Sequence, residues 1–169
     1  MNSIKLRALA LVLPLIFLSQ SCGIYKFNQA SIPQNMKTVT VQFFENNAPL
    51  VVASLSQQFT EALRTRIRDQ TNLSMVRENG DGIFEGRITD YSIKPVAVTG
   101  NERAEATRLS ITVFVKYTNT LDNELSFEQS FTRFREFGGS NIQAREAELI
   151  GQINLDLTED IFNRAFANW

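Results

Sequence analysis

The stretch Arg108 to Thr118 constrains the fold most. Leu109, Ile111, Val113, Val115 and Tyr117 alternate there with Ser110, Thr112, Phe114, Lys116 and Thr118. A strict period of two places the apolar set on one side of a β-strand and the polar set on the other. Such a strand needs a sheet around it and something apolar against one face.

The neighbouring segments supply both. Lys37 to Phe44 reads as a strand with Val39, Val41 and Phe43 on one face. Leu73 to Arg77 is a short strand candidate. Glu78 to Gly82 reads as a hairpin-like turn leading to a longer strand, Ile83 to Ile93, in which Phe84, Gly86 and Ile88 alternate; this arrangement predicts antiparallel pairing. After a turn over Leu121 to Glu124, Leu125 to Phe137 is extended. Leu125, Phe127 and Phe131 hold one phase there and Phe134 the other, which points to a bulge or a two-sided strand.

Two segments change period. Leu55, Phe59, Leu63 and Ile67 recur every four residues between Ser54 and Arg68, behind a capping-box pattern Ser54-Leu-Ser-Gln57. Glu45 to Ala48 with Pro49 read as the turn before it. Ile142 to Ala167 reads as a closing helix with Leu149, Ile150, Ile153, Leu157, Ile161 and Ala165 on one face. The order β-α-β-β-β-β-α predicts an α+β fold, two helices packed on one face of a four- to five-stranded mixed sheet.

The N-terminus has a separate logic. Lys5 and Arg7 precede an apolar run from Ala8 to Leu18, broken only by Pro14, followed by Ser19, Gln20, Ser21 and the sole cysteine, Cys22. This is the three-part layout of a secretory signal peptide, and the run is shorter than the roughly 20 residues that cross a bilayer. Leu18-Ser19-Gln20-Ser21-Cys22-Gly23 resembles a bacterial lipobox, with its leucine one position early. The expected organisation is a lipoprotein signal peptide over residues 1–21, a lipidated segment over 22–36 and one domain over 37–169. A diacylglycerol thioether at Cys22 anchors a protein durably, because each buried CH₂ contributes about 0.8 kcal/mol.

Composition narrows the function. Without residues 1–21 the chain holds fifteen basic and eighteen acidic residues, and no histidine. That balance leaves no basic footprint for nucleic acid. With no histidine, and the one cysteine assigned to lipid, the usual nucleophile and base pairs and zinc sites lack their components, and no cofactor is expected. Paired carboxylates remain, Asp81 with Glu85 and Glu146 with Glu148, at spacings common on surfaces. The chain is therefore expected not to be an enzyme.

The strands carry another candidate site. Arg87, Lys94, Arg103, Arg108 and Lys116, with Arg133 and Arg135 beyond them, fall on or beside the long strands. Interleaved with Phe114, Phe131 and Phe134, they are candidates for a phosphorylated lipid, because guanidinium forks hold phosphate oxygens while rings receive acyl chains. Ordinary solvated strand residues would give the same pattern.

Taken together, Cys22-Gly-Ile-Tyr25, Ser31-Ile-Pro33, Leu55-Ser-Gln with Phe59-Thr-Glu-Ala-Leu63, Phe84-Glu-Gly-Arg-Ile-Thr89, Arg108-Leu-Ser-Ile-Thr-Val113, Lys116-Tyr-Thr-Asn119, Asp160-Ile-Phe-Asn163 and Asn168-Trp169 carry a resemblance. The mature chain resembles the LptE family of lipopolysaccharide-assembly lipoproteins in its Bacteroidetes form. The resemblance implies a lipid-anchored protein on the periplasmic face of the outer membrane. It also implies a plug inside the β-barrel protein LptD that helps insert lipopolysaccharide, and a fold of two helices on a mixed sheet. The segment Gly23 to Asn28 lacks the acidic run that resembles a surface-export signal in this phylum, which fits retention on the periplasmic side. The alternative is a periplasmic lipoprotein that regulates an envelope enzyme such as a peptidoglycan synthase.

Overall fold

The computed structural model describes residues 32–96, 106–138 and 142–167. Its elements are β1 (Thr38–Val41), β2 (Glu45–Asn46), α1 (Leu55–Gln70), β3 (Ser74–Met75), β4 (Gly82–Val96), β5 (Ala106–Asn119), β6 (Phe127–Gly138) and α2 (Glu146–Phe166). Residues 123–125 add one 3₁₀ turn before β6. The strands form one sheet in the order β3-β1-β4-β5-β6, with β2 also paired to β4. β4, β5 and β6 are antiparallel, whereas β1, β2 and β3 run parallel to their neighbours. The predicted α+β class with a mixed sheet is observed, with six strands of which two are only two residues long.

The alternation in β5 does what its period requires. Leu109, Ile111, Val113, Val115 and Tyr117 are all buried on one face, against both helices. Leu55, Phe59, Leu63 and Ile67 of α1 and Ile153, Leu157 and Ile161 of α2 complete this core with no exposed surface. Each such side chain contributes about 1.5–3 kcal/mol relative to exposure. Aromatic rings close one end of the layer: Phe166 meets Phe84 and Tyr117 edge-on, and those two are tilted against each other, with centroids 4.6–5.9 Å apart. No helix among the described residues is long and apolar enough to cross a membrane.

Four local expectations are corrected. The residues before β4 do not form a hairpin, because β1 lies between β3 and β4 and runs parallel to both. The segment 76–81 instead crosses over β1 on the side away from the helices. Gly80 sits against Thr40 there, where a Cβ would come within 2.7 Å of the Thr40 backbone nitrogen. The adjacent Asp81 carboxylate accepts from the Lys37 and Thr38 backbone N–H groups and from Thr38 Oγ1, at 2.8–2.9 Å. A local Asn-Gly-Asp signal reads as a tight reversal because the sequence does not reveal the strand it must straddle.

The first strand ends at Val41, so Phe43 does not continue the buried phase. It is 55% exposed, and Phe44 is buried against Phe59 instead. The buried Thr60 hydroxyl in α1 accepts the Phe44 N–H and so fixes that change of phase. Glu45 and Asn46, predicted as turn, add to the sheet beside Arg87 and Ile88.

The capping box of α1 is absent. Ser54 has helical backbone angles and makes no side-chain cap; its hydroxyl accepts from Gln58 Nε2. For the segment ending at Phe137 the two-sided alternative holds, and the register shift of the sheet lies in β4, between Ile88 and Asp90. β6 pairs with β5 without a shift, so Phe134 points away from the core simply because β6 is two-sided.

Candidate functional site on the open face of the sheet

The helices cover one face of the sheet, and the side chains of the other phase build a second face. Arg87, Asp90 and Lys94 of β4 stand beside Phe114, Thr112 and Arg108 of β5. These in turn stand beside Ser130, Thr132 and Glu136 of β6. Four candidate residues, Arg87, Lys94, Arg108 and Lys116, therefore share this face, because register places them in the outward phase. Arg103 and Cys22 lie outside the described residues.

The face is not a basic patch. Glu45, Glu85, Asp90, Glu128 and Glu136 share it, so five acidic side chains offset the four basic ones. Arg108 donates to Glu136 Oε1 through Nε at 3.0 Å, and Lys116 lies 3.8 Å from Glu85. Among the described residues Arg87 and Lys94 make no ion pair within 4.0 Å, and they are the cations left open to a ligand.

Two of the cations are braced by rings. The Arg87 guanidinium carbon is 4.8 Å from the Phe114 ring centre, and that of Arg108 is 4.1 Å from Phe134. Such stacking contributes roughly 0.5–1 kcal/mol at an exposed site. Arg108 spends Nε and one Nη on Glu136, whereas Arg87 makes no ion pair among the described residues and keeps its fork open. A braced fork of this kind can grip phosphate, sulfate or carboxylate oxygens with little loss of side-chain freedom.

The remaining candidates are placed elsewhere. Arg133 and Arg135 stand in the phase of Ile111 and Leu109 and reach α2, where they pair with Asp160 and Asp156 at 2.6 Å. The Asp160 hydrogen bond and charge hold the Arg133 guanidinium above its ordinary pKa. Phe131 is buried in the core. All three fall out of the candidate surface because odd and even positions of β6 face opposite ways.

The carboxylate pairs are also engaged separately. The hydrogen bonds from Lys37 and Thr38 depress the Asp81 pKa below its ordinary value, and Glu85 lies against Lys116. Glu146 accepts from the Tyr91 hydroxyl, whose pKa is raised by burial first and by Glu146 second. Glu148 accepts from Gln152 Nε2. No cluster of three metal-ligating side chains occurs among the described residues.

A cleft of about 730 Å³ lies at one end of the domain, between Ile32 to Gln34, Asp122 and Leu125, and the last turn of α2 from Asn163 to Ala167. A second groove of about 660 Å³ beside β3 is lined by the exposed Phe43 and Met75 with Arg64 and Arg77. Sequence reasoning missed the counter-charges Glu85 and Glu136. Period-two counting on three adjacent strands would have found them, once the register was known.

Comparison with known proteins places the chain. No curated protein matches its sequence. Among solved structures it is similar to a minor lipoprotein from Acinetobacter baumannii, with 14% identity and a TM-score of 0.52 over 76% of this chain and 91% of that one. It is also similar to protein CT253 from Chlamydia trachomatis, with 11% identity and a TM-score of 0.53 over 79% and 99%. Lipoprotein B from Nitrosomonas europaea matches with 16% identity and a TM-score of 0.50 over 81% and 85%. At these identities the likeness speaks for the fold alone. The family model described as LptE, lipopolysaccharide-assembly, matches residues 36–165, most of the sequence, and the chain therefore belongs to the LptE family.

Proposed function

We propose that the protein is a non-enzymatic lipoprotein of the outer membrane, anchored on its periplasmic face through Cys22. There it assists lipopolysaccharide transport and insertion as plug and partner of an LptD-like β-barrel. The family match carries this reading. The architecture supports it: both helices are spent on the inner face of the sheet, so the domain is closed on itself and offers its outer face and edges to partners. The absence of histidine and the separate engagement of each carboxylate pair support a role in binding rather than catalysis.

The proposed lipopolysaccharide contact is the outer face of β4 and β5, through Arg87, Lys94, Arg108 and Lys116, with Arg103 in the connection between those strands. Arg87 on Phe114 and the neighbouring pair Lys94 and Arg108 would take phosphate oxygens.

Two measurements test the reading. Affinity-tagged full-length protein extracted from outer membranes is expected to bring down a large β-barrel of the lipopolysaccharide-export type; recovery of a peptidoglycan synthase in its place would refute it. For the ligand, the double reversal Arg108→Glu and Lys116→Glu is expected to weaken lipopolysaccharide binding at least tenfold, about 1.4 kcal/mol. The control Arg64→Glu and Arg68→Glu on α1 is expected to change it less than twofold. Equal losses would remove the sheet face from the proposal.

A further inference from the structure

The two edges of the sheet are unlike. β3 closes one side with two residues, after which the chain departs over β1. β6 closes the other with twelve residues, and its pairing with β5 runs unbroken from Phe127 opposite Tyr117 to Gly138 opposite Ala106. No described strand pairs with its outer side. Long free edges are normally blunted by brevity, a bulge or a proline. β6 has none of the three.

Inward-pointing charges are a further protective device, and Arg133 and Arg135 occupy such positions. Asp160 and Asp156 neutralise them, however, and the two ion pairs hold the strand against α2. Both inward charges are thus satisfied within the domain and drawn toward α2.

The direction of the main chain identifies what is presented. Asn119 N–H points toward the β6 side, to Ser126 Oγ, while Thr120 N–H points toward β4, to the Asp81 carbonyl. By alternation the odd residues of β5 bond β6, and their odd partners in β6 are satisfied. The N–H and C=O groups of Glu128, Ser130, Thr132, Phe134 and Glu136 then face outward. The Phe134 carbonyl, one of these, accepts from the guanidinium of its neighbour Arg135 at 3.0 Å.

A row of alternating donors and acceptors matches the main chain of another extended strand. A second copy of this chain fits poorly. The two antiparallel overlaps that use the full strand, about Thr132 and about Arg133, set Glu128 against Glu136 or Arg133 against itself. Like charges directly opposite are destabilising. A foreign strand escapes this by carrying a basic residue beside Glu128, which makes no ion pair within 4.0 Å among the described residues, and an apolar one beside the exposed Phe134.

We propose that the outer edge of β6, through the main chain of residues 128–136, docks one extended segment of the barrel partner, which adds to the sheet beside β6. This rests on the reading of the protein as a barrel partner and names the surface it uses.

The test compares the full-length tagged protein with Ser130→Pro and Thr132→Pro variants in outer membranes. Each proline deletes an outward N–H while leaving the bonds to β5 intact, a placement that edge strands tolerate. Barrel recovery is expected to fall at least tenfold, with Ser130→Ala and Thr132→Ala unchanged and thermal unfolding of the proline variants within a few degrees of wild type. A photo-crosslinking amino acid at Ser130 is expected to give an adduct to the barrel, and one at Gln58 on α1 none. The crosslink decides the matter should a proline variant fail to fold.

Barrel recovery unaffected by either proline, or a Ser130 probe that gives no barrel adduct, overturns the edge proposal and leaves the function reading standing. No barrel recovered with the wild type overturns both. A Ser130 adduct of twice the chain mass assigns the edge to a second copy and also overturns it.

Discussion

The face of the sheet turned toward the helices and the face turned away arise from the same strands by the same alternation, yet they are held together differently. The inner face is continuous hydrocarbon, in which Val39, Phe84, Ile88, Leu109, Ile111, Val113 and Val115 are wholly or almost wholly buried beneath α1 and α2. The outer face is a mosaic of mixed charges, hydroxyls and two ring-braced guanidinium groups. Burial fixes the first, where any lost volume is felt. The second is held by exposed ion pairs, each worth about 0–1 kcal/mol, so its residues can change with little effect on folding and are available for recognition.

The comparison breaks most visibly at a large core side chain. Leu157→Ala is expected to destabilise the domain by about 2–5 kcal/mol, whereas Phe134→Ala on the outer face, where the ring is 46% exposed, should lose about 1 kcal/mol or less. Chemical denaturation of the two variants checks this. Similar losses would mean that the outer face also carries the fold.

Gly86 tests the inner face from the opposite direction, by adding an atom. A Cβ there would come 2.1 Å from the Phe114 carbonyl oxygen and 2.5 Å from the Phe44 ring. Gly86→Ala is expected to destabilise by roughly 1–3 kcal/mol. A change within 0.5 kcal/mol would show that β4 and β5 can separate locally without loss.

The smallest effect belongs to Asp81, where the crossing segment is tied to β1. Its folded pKa is lowered, chiefly by the Lys37 and Thr38 backbone N–H groups. Its contribution is therefore complete above the unfolded value, roughly 3.9, and disappears as the pH falls through the folded value. Asp81→Asn is expected to be less stable than wild type at neutral pH, with the difference shrinking in acid. A difference that grew as the pH fell would show that the carboxylate is not the stabilising species.

Much of this architecture was legible in the residues. The period of β5 defined both faces before any neighbour was known, and the four-residue spacing from Leu55 to Ile67 identified α1 and its buried stripe. Positions where the pattern failed share a cause. Phe43 and Phe44 exchange roles because Thr60, sixteen residues away, accepts the Phe44 N–H. The turn before β4 became a crossing because β1 stands between two strands that follow each other in the chain. The candidate site was half legible: Arg87, Lys94, Arg108 and Lys116 do share a face, but Arg133 and Arg135 leave it for Asp160 and Asp156.

The sequence by itself determined which residues alternate, which recur at helical spacing, and that catalysis by histidine or by a cysteine thiol other than Cys22 is unavailable to this chain. These are local or compositional properties, and no partner strand is needed to read them. Only the tertiary structure decided that β3, β1 and β4 run parallel, that acidic side chains offset the basic ones, and that no described strand pairs with the outer side of β6. Each of those depends on register between segments far apart in the chain, and a slip of one residue would exchange the two faces of any strand.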